Sequence, residues 1–578
     1  MCGFSGIAFV DTRSRDNFSG GLDAFRTASR RIAHRGDTEH REYLNEQLWL
    51  SHYRLAFQDT SGGKQPMISQ DGRHVIVFNG EVYNHLQLRP QISRESGVTF
   101  KTRSDTETLL EGWKVLGNSL FELLEGEYAF IIMSLDGTEL VAHRDKFGVK
   151  PLYLKPENIN TDVFSEYRKR YDFTCRHIEF ASEIKAITSK KTWHRDGLLR
   201  QFVGLFEPIR TPFQSIIQLP GGAVLEARSR GGEYHCSLTM DDSPVRKSVR
   251  GTGRATEEDF SAALRASVEE RLLSDVELGI YLSGGIDSRA IAYEMSRLSD
   301  TSRKIKSFTV GFTEAGYDES ASATDFAKYL GMDPHLLMLD DAALQYSYPL
   351  AVQSSELIQP FTNGCAKWWL GLFTRQSVQG VLTGDGADEM LCGYPSYRYV
   401  NWWKFAMRAR KPVTNCEELK QALSKDPLGS HPRDSLYFQR FNRSGENPWL
   451  AGSSASGTGQ DFIDSIEVLG VPHPLFGQIS AITETLLGPS AARTWLKAQA
   501  TSIQSWYLAG FERDEVALCD PNDSLLLWQN YFAKNHLPVL ITNWVGDRME
   551  MANTLEGRTP FLSSSVSDLV YKQPDHAL

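Results

Sequence analysis

Across roughly the first 210 residues, short apolar runs alternate with turns: GFSGIAFV, LWLSHYRLAF, HVIVFNGEVY, YAFIIMSL, ELVAHRD and IEFASEI. Alternating, β-branched segments of this length predict strands of antiparallel sheets, with helices such as DTETLLEGWKVLG between some of them. A layered α+β domain is expected. Residues 228–256 (RSRGGEYHCSLTMDDSPVRKSVRGTGRAT) break the rhythm with glycine and charge, and read as a linker or a solvated hairpin. The expected division is therefore a domain at 1–227, a linker at 228–256 and a second domain at 257–578.

Beyond the linker, EEDFSAALRASVEERLL carries a helical pattern. ELGIYL, KIKSFTVGF and VQGVLTGDG are short, nearly continuous apolar runs spaced by helical segments. Strands that are apolar on both faces and separated by helices predict a parallel α/β sheet. From about residue 400 to 545 the chain turns aromatic-rich and helical, which predicts helical additions to that sheet.

The length of 578 residues suggests two large domains. A formal net charge of -10 argues against nucleic-acid partners, which need a basic face, and favours small-molecule chemistry. No run of 18 apolar residues and no signal-peptide pattern is present, so neither a membrane span nor secretion is expected. Seven scattered cysteines without a CxxC pair indicate neither a disulfide framework nor a zinc site. A reduced, cytoplasmic setting is the expectation.

The chain opens MCGFSGIAFV. Removal of the methionine would give Cys2 a thiol and a free α-amino group on one residue. An α-amine with a pKa near 8 is a suitable general base for its own thiol. Further along, YLSGGIDS (281–288) follows an apolar strand and opens a helix. Glycines at such a turn let backbone N–H groups approach a phosphate, and the helix N-terminus adds its dipole. The lysine and spacing of a Walker A loop are absent.

HRG at 34–36, RLAFQD from Arg54, KQPM at 64–67, NGEVYN at 79–84, SDTE at 104–107 and HRDKFGVKPLYL from His143 stand in an order that resembles the class II glutamine amidotransferases of the N-terminal-nucleophile family. The resemblance implies a glutaminase sandwich domain with Cys2 as nucleophile and Asn79 and Gly80 as the oxyanion hole. It implies that Arg54 grips glutamine's α-carboxylate and that Glu81 and Asp105 bind its α-ammonium.

SGGIDS resembles the pyrophosphate loop of ATP pyrophosphatases, which join a carboxylate to the α-phosphorus of ATP. That implies nucleotide binding by Leu282, Ser283, Gly284, Gly285, Asp287 and Ser288, with Val310 of FTVGF beside Leu282 at the adenine. In TGDGADE (383–389), Thr383 and Gly384 are expected at the nucleotide, Asp385 at the adenylate step, and Asp287 and Asp388 at Mg²⁺. Both halves, with DRMEMANTLEGRTPFL from Asp547, resemble glutamine-hydrolysing asparagine synthetases. The implied substrates are glutamine, ATP and a carboxylic acid such as aspartate, and a homodimer is left open.

The chain departs from the family in places. It reads HRGDT for HRGPD, RLAFQD for RLxIxD, and Asp385 where many asparagine synthetases carry glutamate. The family's adenylation lysine lies some distance beyond PFL, and Lys572 sits too close to that motif to replace it. Either the gene product is longer or another cation serves. The same mechanism on a different carboxylic acid, and a catalytically dead glutamine or nucleotide sensor, remain as alternatives.

Overall fold

A computed structural model describes residues 2–241, 255–298, 304–313, 318–394, 397, 459–471, 473, 475–511 and 521–571. Its N-terminal part is built from two antiparallel sheets. The first, of six strands, runs in the order Ile217–Gln218, Tyr153–Pro156, His177–Ala181, Gly3–Phe9, Leu48–Arg54, Glu39–Leu44. The second, of seven strands, runs Met67–Ile68, His74–Val82, Gly126–Ser134, Glu139–Arg144, Val224–Arg230, Glu233–Thr239, Arg170–Cys175.

The two-residue period of a strand explains the layering. Phe4 and Ala8 point from the first sheet into a core shared with Val75, Val77, Ala129 and Ile131 of the second. Ile7 and Phe9 point the other way, onto Phe18 and onto Phe25 of helix Gly21–Ser29. Ile76 and Phe78 likewise leave the second sheet to meet Leu88 and Ile92 of helix His85–Ser96 and Leu109 and Leu110 of helix Asp105–Leu116. The result is a helix–sheet–sheet–helix sandwich. Its central strands are covered on both faces, so they read as apolar runs.

The stretch read as a linker or solvated hairpin from residue 228 is different in its first part. Strands Val224–Arg230 and Glu233–Thr239 pair as a hairpin inside the second sheet, and Tyr234, Cys236 and Leu238 enter the sandwich core. Alternation with exposed Glu233, His235 and Thr239 lowers its apolar content, which made the hairpin read as solvated rather than as part of the core. Residues 242–254 lie outside the described ones.

The second part holds a five-stranded parallel sheet in the order Asp333–Leu339, Lys306–Phe312, Leu278–Tyr281, Gly380–Leu382, Glu556–Arg558. Helices cover both faces. Ile280, Leu282 and Leu382 pack on Ile291 and Met295 of helix Ile286–Leu298, while Tyr281, Phe308 and Val381 meet Leu370 of helix Asn363–Arg375. The chain adds strands to one side of Leu278–Tyr281 and then crosses to the other. The order therefore reverses between Leu278–Tyr281 and Gly380–Leu382, where open α/β sheets bind ligands beyond their carboxyl ends. Helices Phe476–Leu487, Pro489–Tyr507 and Pro521–Tyr531 and the π-helical segment Phe532–Asp547 form the helical addition.

Candidate active sites

Cys2 stands just before the central strand Gly3–Phe9 and is 7% exposed. Gly3 pairs with Tyr53 in the neighbouring strand, so Arg54 falls opposite Cys2. From the other sheet, Asn79 Oδ1 accepts from Cys2 N at 2.9 Å. Asn79 Nδ2 is left buried with no partner. An orphaned buried amide of this kind costs about 1–3 kcal/mol, which a ligand oxygen at that point would relieve. Burial pushes the Cys2 thiol up from its ordinary value, so attack through its thiolate calls for a base.

Gly80 follows at φ +135°, and a Cβ there would overlap the Glu127 carbonyl oxygen of the adjacent strand. Only glycine fits. Gly80→Ala is expected to destabilise the sandwich by about 3 kcal/mol or more, read as a fall in the midpoint of chemical unfolding.

Glu81 and Asp105 close the same end of the site. Asp105 opens helix Asp105–Leu116 and accepts from Val82 N at 3.0 Å, which ties the helix start to the strand bearing Asn79, Gly80 and Glu81. Gln58 Nε2 donates to Glu81. Burial, with Asp105 and Glu556 nearby, pushes the Glu81 carboxyl up to about 8. An acid raised in this way favours the folded state at low pH, and that contribution fades as pH rises through about 8. If Glu81 receives the ammonium of glutamine, as the resemblance implies, binding releases a proton. KM for glutamine is then expected to fall, by up to about tenfold per pH unit, until pH 8 is passed. Glu81→Gln should flatten that profile in steady-state glutaminase assays.

Arg54 is placed near Cys2, but its guanidinium donates to the carbonyls of Thr60 at 2.8 Å and Asp59 at 2.7 Å. In this state it shapes the 58–60 loop.

In the second site, Ser283, Gly284 and Gly285 form the turn between strand Leu278–Tyr281 and helix Ile286–Leu298. Ser288 Oγ accepts from Ser283 N at 3.1 Å, and Gly285 N donates to Ser283 Oγ at 3.1 Å. Gly284 N donates to Glu319 Oε2 at 3.1 Å. A carboxylate oxygen thus rests on one of the amides expected to meet a phosphate, so the cradle fits an anion. The TGDG turn closes on this loop, since a Cβ at Gly384 would stand 3.3 Å from Ser288 N. Thr383 N donates to Arg558 O at 2.9 Å, and its Oγ1 accepts from Asp385 N at 3.3 Å.

Asp287 and Asp388 are brought together. Burial, then the charge of Asp388, pushes Asp287 up to about 6, and burial raises Asp388 as well. Among the described residues no group of three or more His, Cys, Asp or Glu side chains is placed to hold a metal. Two carboxylates suit Mg²⁺ arriving with a nucleotide, which is commonly held by one or two carboxylates plus phosphates.

Leu282, just past strand Leu278–Tyr281, lies beside strand Lys306–Phe312, its N donating to Phe308 O at 3.0 Å, but its side chain and that of Val310 take opposite faces of the sheet. Leu282 points into the core under helix Ile286–Leu298, while Val310 packs on the opposite sheet face with Tyr281 and Phe308. Tyr281 and Phe308 are register partners, so the two-residue period puts Val310 with them and Leu282 on the other side. Lys572 lies outside the described residues.

The two parts meet through buried charge. Arg35 Nε donates to Cys2 O at 3.0 Å, and its Nη1 and Nη2 grip Asp547 at 2.9 and 3.1 Å. Arg548 pairs with Glu183 at 2.9 Å and Glu356 at 2.7 Å. Glu127 takes Lys150, Arg271 and the N–H of Thr559. Sequence reasoning missed these pairs, and it missed Lys367, which pairs with Asp385 and Glu550 at 3.3 Å each. No motif surrounds Lys367. Glu550 lies inside DRMEMANTLEGRTPFL, a run in which only the family resemblance is legible.

The sequence model described as glutamine amidotransferase domain matches residues 1–236, and that described as asparagine synthase matches residues 259–577. Amidase chry2 of Gibberella zeae is 27% identical, over 99% of this chain and 83% of its own. Amidase chyE of Penicillium rubens is 27% identical over 94% and 77%. The glutamine-hydrolysing asparagine synthetase 1 of Bacillus subtilis is 27% identical over 100% and 81%. No helix among the described residues is long and apolar enough to cross a membrane. With an N-terminal cysteine set in an antiparallel sandwich and a glycine turn at the head of a parallel sheet, this chain belongs to the asparagine synthase family and is a glutamine-hydrolysing carbon–nitrogen ligase of the amidotransferase type.

Proposed function

We propose that this protein is an ATP-dependent amide synthase that hydrolyses glutamine at Cys2 and passes the ammonia to an adenylated carboxylate, with aspartate as the first acceptor to consider. The observation that carries the reading is the orphaned Asn79 Nδ2 beside Cys2 in the same chain as the Ser283–Ser288 cradle. Cys2 Sγ attacks the carboxamide carbon, and Asn79 Nδ2 and the Gly80 N–H receive the developing oxyanion. The α-amine of Cys2, freed by loss of the methionine, takes the thiol proton and returns it to the leaving ammonia. Glu81 and Asp105 hold the ammonium of glutamine. Arg54, which now binds the 58–60 loop, reaches its carboxylate once that loop yields.

At the second site the cradle of Gly284, Gly285 and the Ser288 hydroxyl holds phosphate, Thr383 and Gly384 bound the nucleotide, and Asp287 and Asp388 would hold Mg²⁺. That ion would neutralise the charge of the departing pyrophosphate. Ammonia must remain unprotonated in transit, so the buried contact between the two parts serves to exclude water.

A second acceptor class, a carboxylic acid other than aspartate, is favoured by Asp385 at the acceptor side and by the similarity to two amidases. The test is incubation of the full chain with glutamine, ATP, Mg²⁺ and a panel of acids headed by aspartate, with AMP, pyrophosphate and amide scored by mass spectrometry. Asparagine with stoichiometric AMP supports the first reading. AMP with another acid alone supports the second, and AMP with none of them rejects both.

A further inference from the structure

One ammonium stands over the gap where the parallel sheet reverses its order. Lys367, on helix Asn363–Arg375, holds its Nζ 4.5 Å from the ring centroid of Tyr281, the last residue of strand Leu278–Tyr281. The same Nζ lies 3.3 Å from Oδ2 of Asp385, just beyond strand Gly380–Leu382, and 3.3 Å from Oε1 of Glu550. Its helix is fixed in place. A Cβ at Gly364 would meet Trp544 at 2.6 Å, and Asn553 Nδ2 donates to Trp368 O at 3.0 Å. The Lys367 side chain is 11% exposed, against 18% for Asp385 and 2% for Glu550.

The surroundings are acidic. Asp287, Asp385, Asp388, Glu389 and Glu550 all lie on the turns and helix starts about this gap, and among the described residues Lys367 is the only lysine or arginine paired with Asp385. A carboxylate and a triphosphate brought here would repel each other and these acids. A cation held in place by its neighbours is the economical way to bring such anions together and to stabilise the charge that grows on the phosphorus oxygens. Burial works against the charge of Lys367, but Asp385 and Glu550 outweigh it and raise the ammonium's pKa.

We propose that Lys367 is a catalytic lysine of the carboxylate-adenylation step, exchanging its contacts with Asp385 and Glu550 for oxygens of the acceptor carboxylate and the α-phosphate. The inference rests on the adenylating reading above. In that step an acceptor oxygen forms a bond to the α-phosphorus. The bond from that phosphorus to the oxygen bridging to the β-phosphorus breaks, and pyrophosphate leaves with the electron pair. Lys367 keeps its proton throughout.

The test uses the full chain with ammonium chloride as nitrogen source and acid-dependent AMP and pyrophosphate as readout. Glutaminase rate and Tm are followed in parallel. Lys367→Met is expected to lower the kcat for AMP formation by about 10²–10³-fold, with glutaminase within about twofold of the parent. Lys367→Arg should recover at least about tenfold of that loss. If Lys367 only balances buried charge, the Lys367→Met/Glu550→Met pair will restore AMP formation along with Tm. If it is catalytic, the pair restores Tm alone. AMP formation by Lys367→Met within about threefold of the parent overturns the proposal, as does its recovery in the pair. A parent enzyme that makes no AMP with any acid sinks the adenylating reading itself, which is a different result from a parent that makes AMP and a Lys367→Met variant that does so equally well.

Discussion

Cys2→Ala is expected to lower glutamine-dependent amide formation by about 10³-fold or more while amide formation from ammonium salts stays close to that of the parent. The asymmetry follows from the placement of the residue. Cys2 Sγ faces the Leu55 carbonyl, and Cys2 N the Asn79 side chain, both within the sandwich. The Ser283–Ser288 turn and Asp385 belong to the parallel sheet and take no contact from Cys2. Removing one sulfur also leaves the strand pairing of Gly3–Phe9 untouched, so folding is not at issue. Paired assays with glutamine and with ammonium chloride read the effect. Glutaminase activity retained by the alanine variant would mean that another group is the nucleophile.

The second large effect is expected at Arg35. Its side chain is 0% exposed and carries three loads: the Cys2 carbonyl, Glu183 at 2.9 Å and both oxygens of Asp547. Arg35→Met leaves Asp547 without this partner in a place water does not reach. Breaking a buried pair from one side costs about 3–5 kcal/mol, because the remaining charge has lost both its solvent and its counter-ion. Tm should fall by roughly 5 °C or more, and glutaminase kcat should fall with it, since the backbone of the nucleophile loses its anchor. Arg35→Lys keeps the charge but not the planar fork, so it should land between the two. A Tm equal to that of the parent would show that the contact between the two parts does not depend on this pair.

Much of this architecture is legible in local pattern. GFSGIAFV and HVIVFNGEVY read as strands because sheets covered on both faces make nearly every position apolar, and DTETLLEGWKVLG reads as a helix that Ser104 then caps. The cradle at 283–288 follows from glycine at a strand-to-helix turn. Strand Glu233–Thr239 was legible only as part of a linker or a solvated hairpin and not as a core strand, because its exposed face is polar and its buried face shows only every second residue. Strand Glu556–Arg558 has three residues, too few for any period to register.

By itself the sequence determined which chemistry could occur: a cysteine able to carry its own base, a turn able to hold phosphate, and the acids of TGDGADE. These depend on residue type and short spacing, which a chain displays without folding. Only the tertiary structure decided which charges answer each other. Arg35 belongs to HRG and Asp547 to DRMEM, yet nothing in either run says that they are two sides of one ion pair spanning 512 residues. Lys367 stood in no motif at all, and it took the reversal of strand order in the parallel sheet to bring it to Asp385. Pairing across such separations is set by how sheets and helices pack, and buried charges find partners only once packing has excluded water.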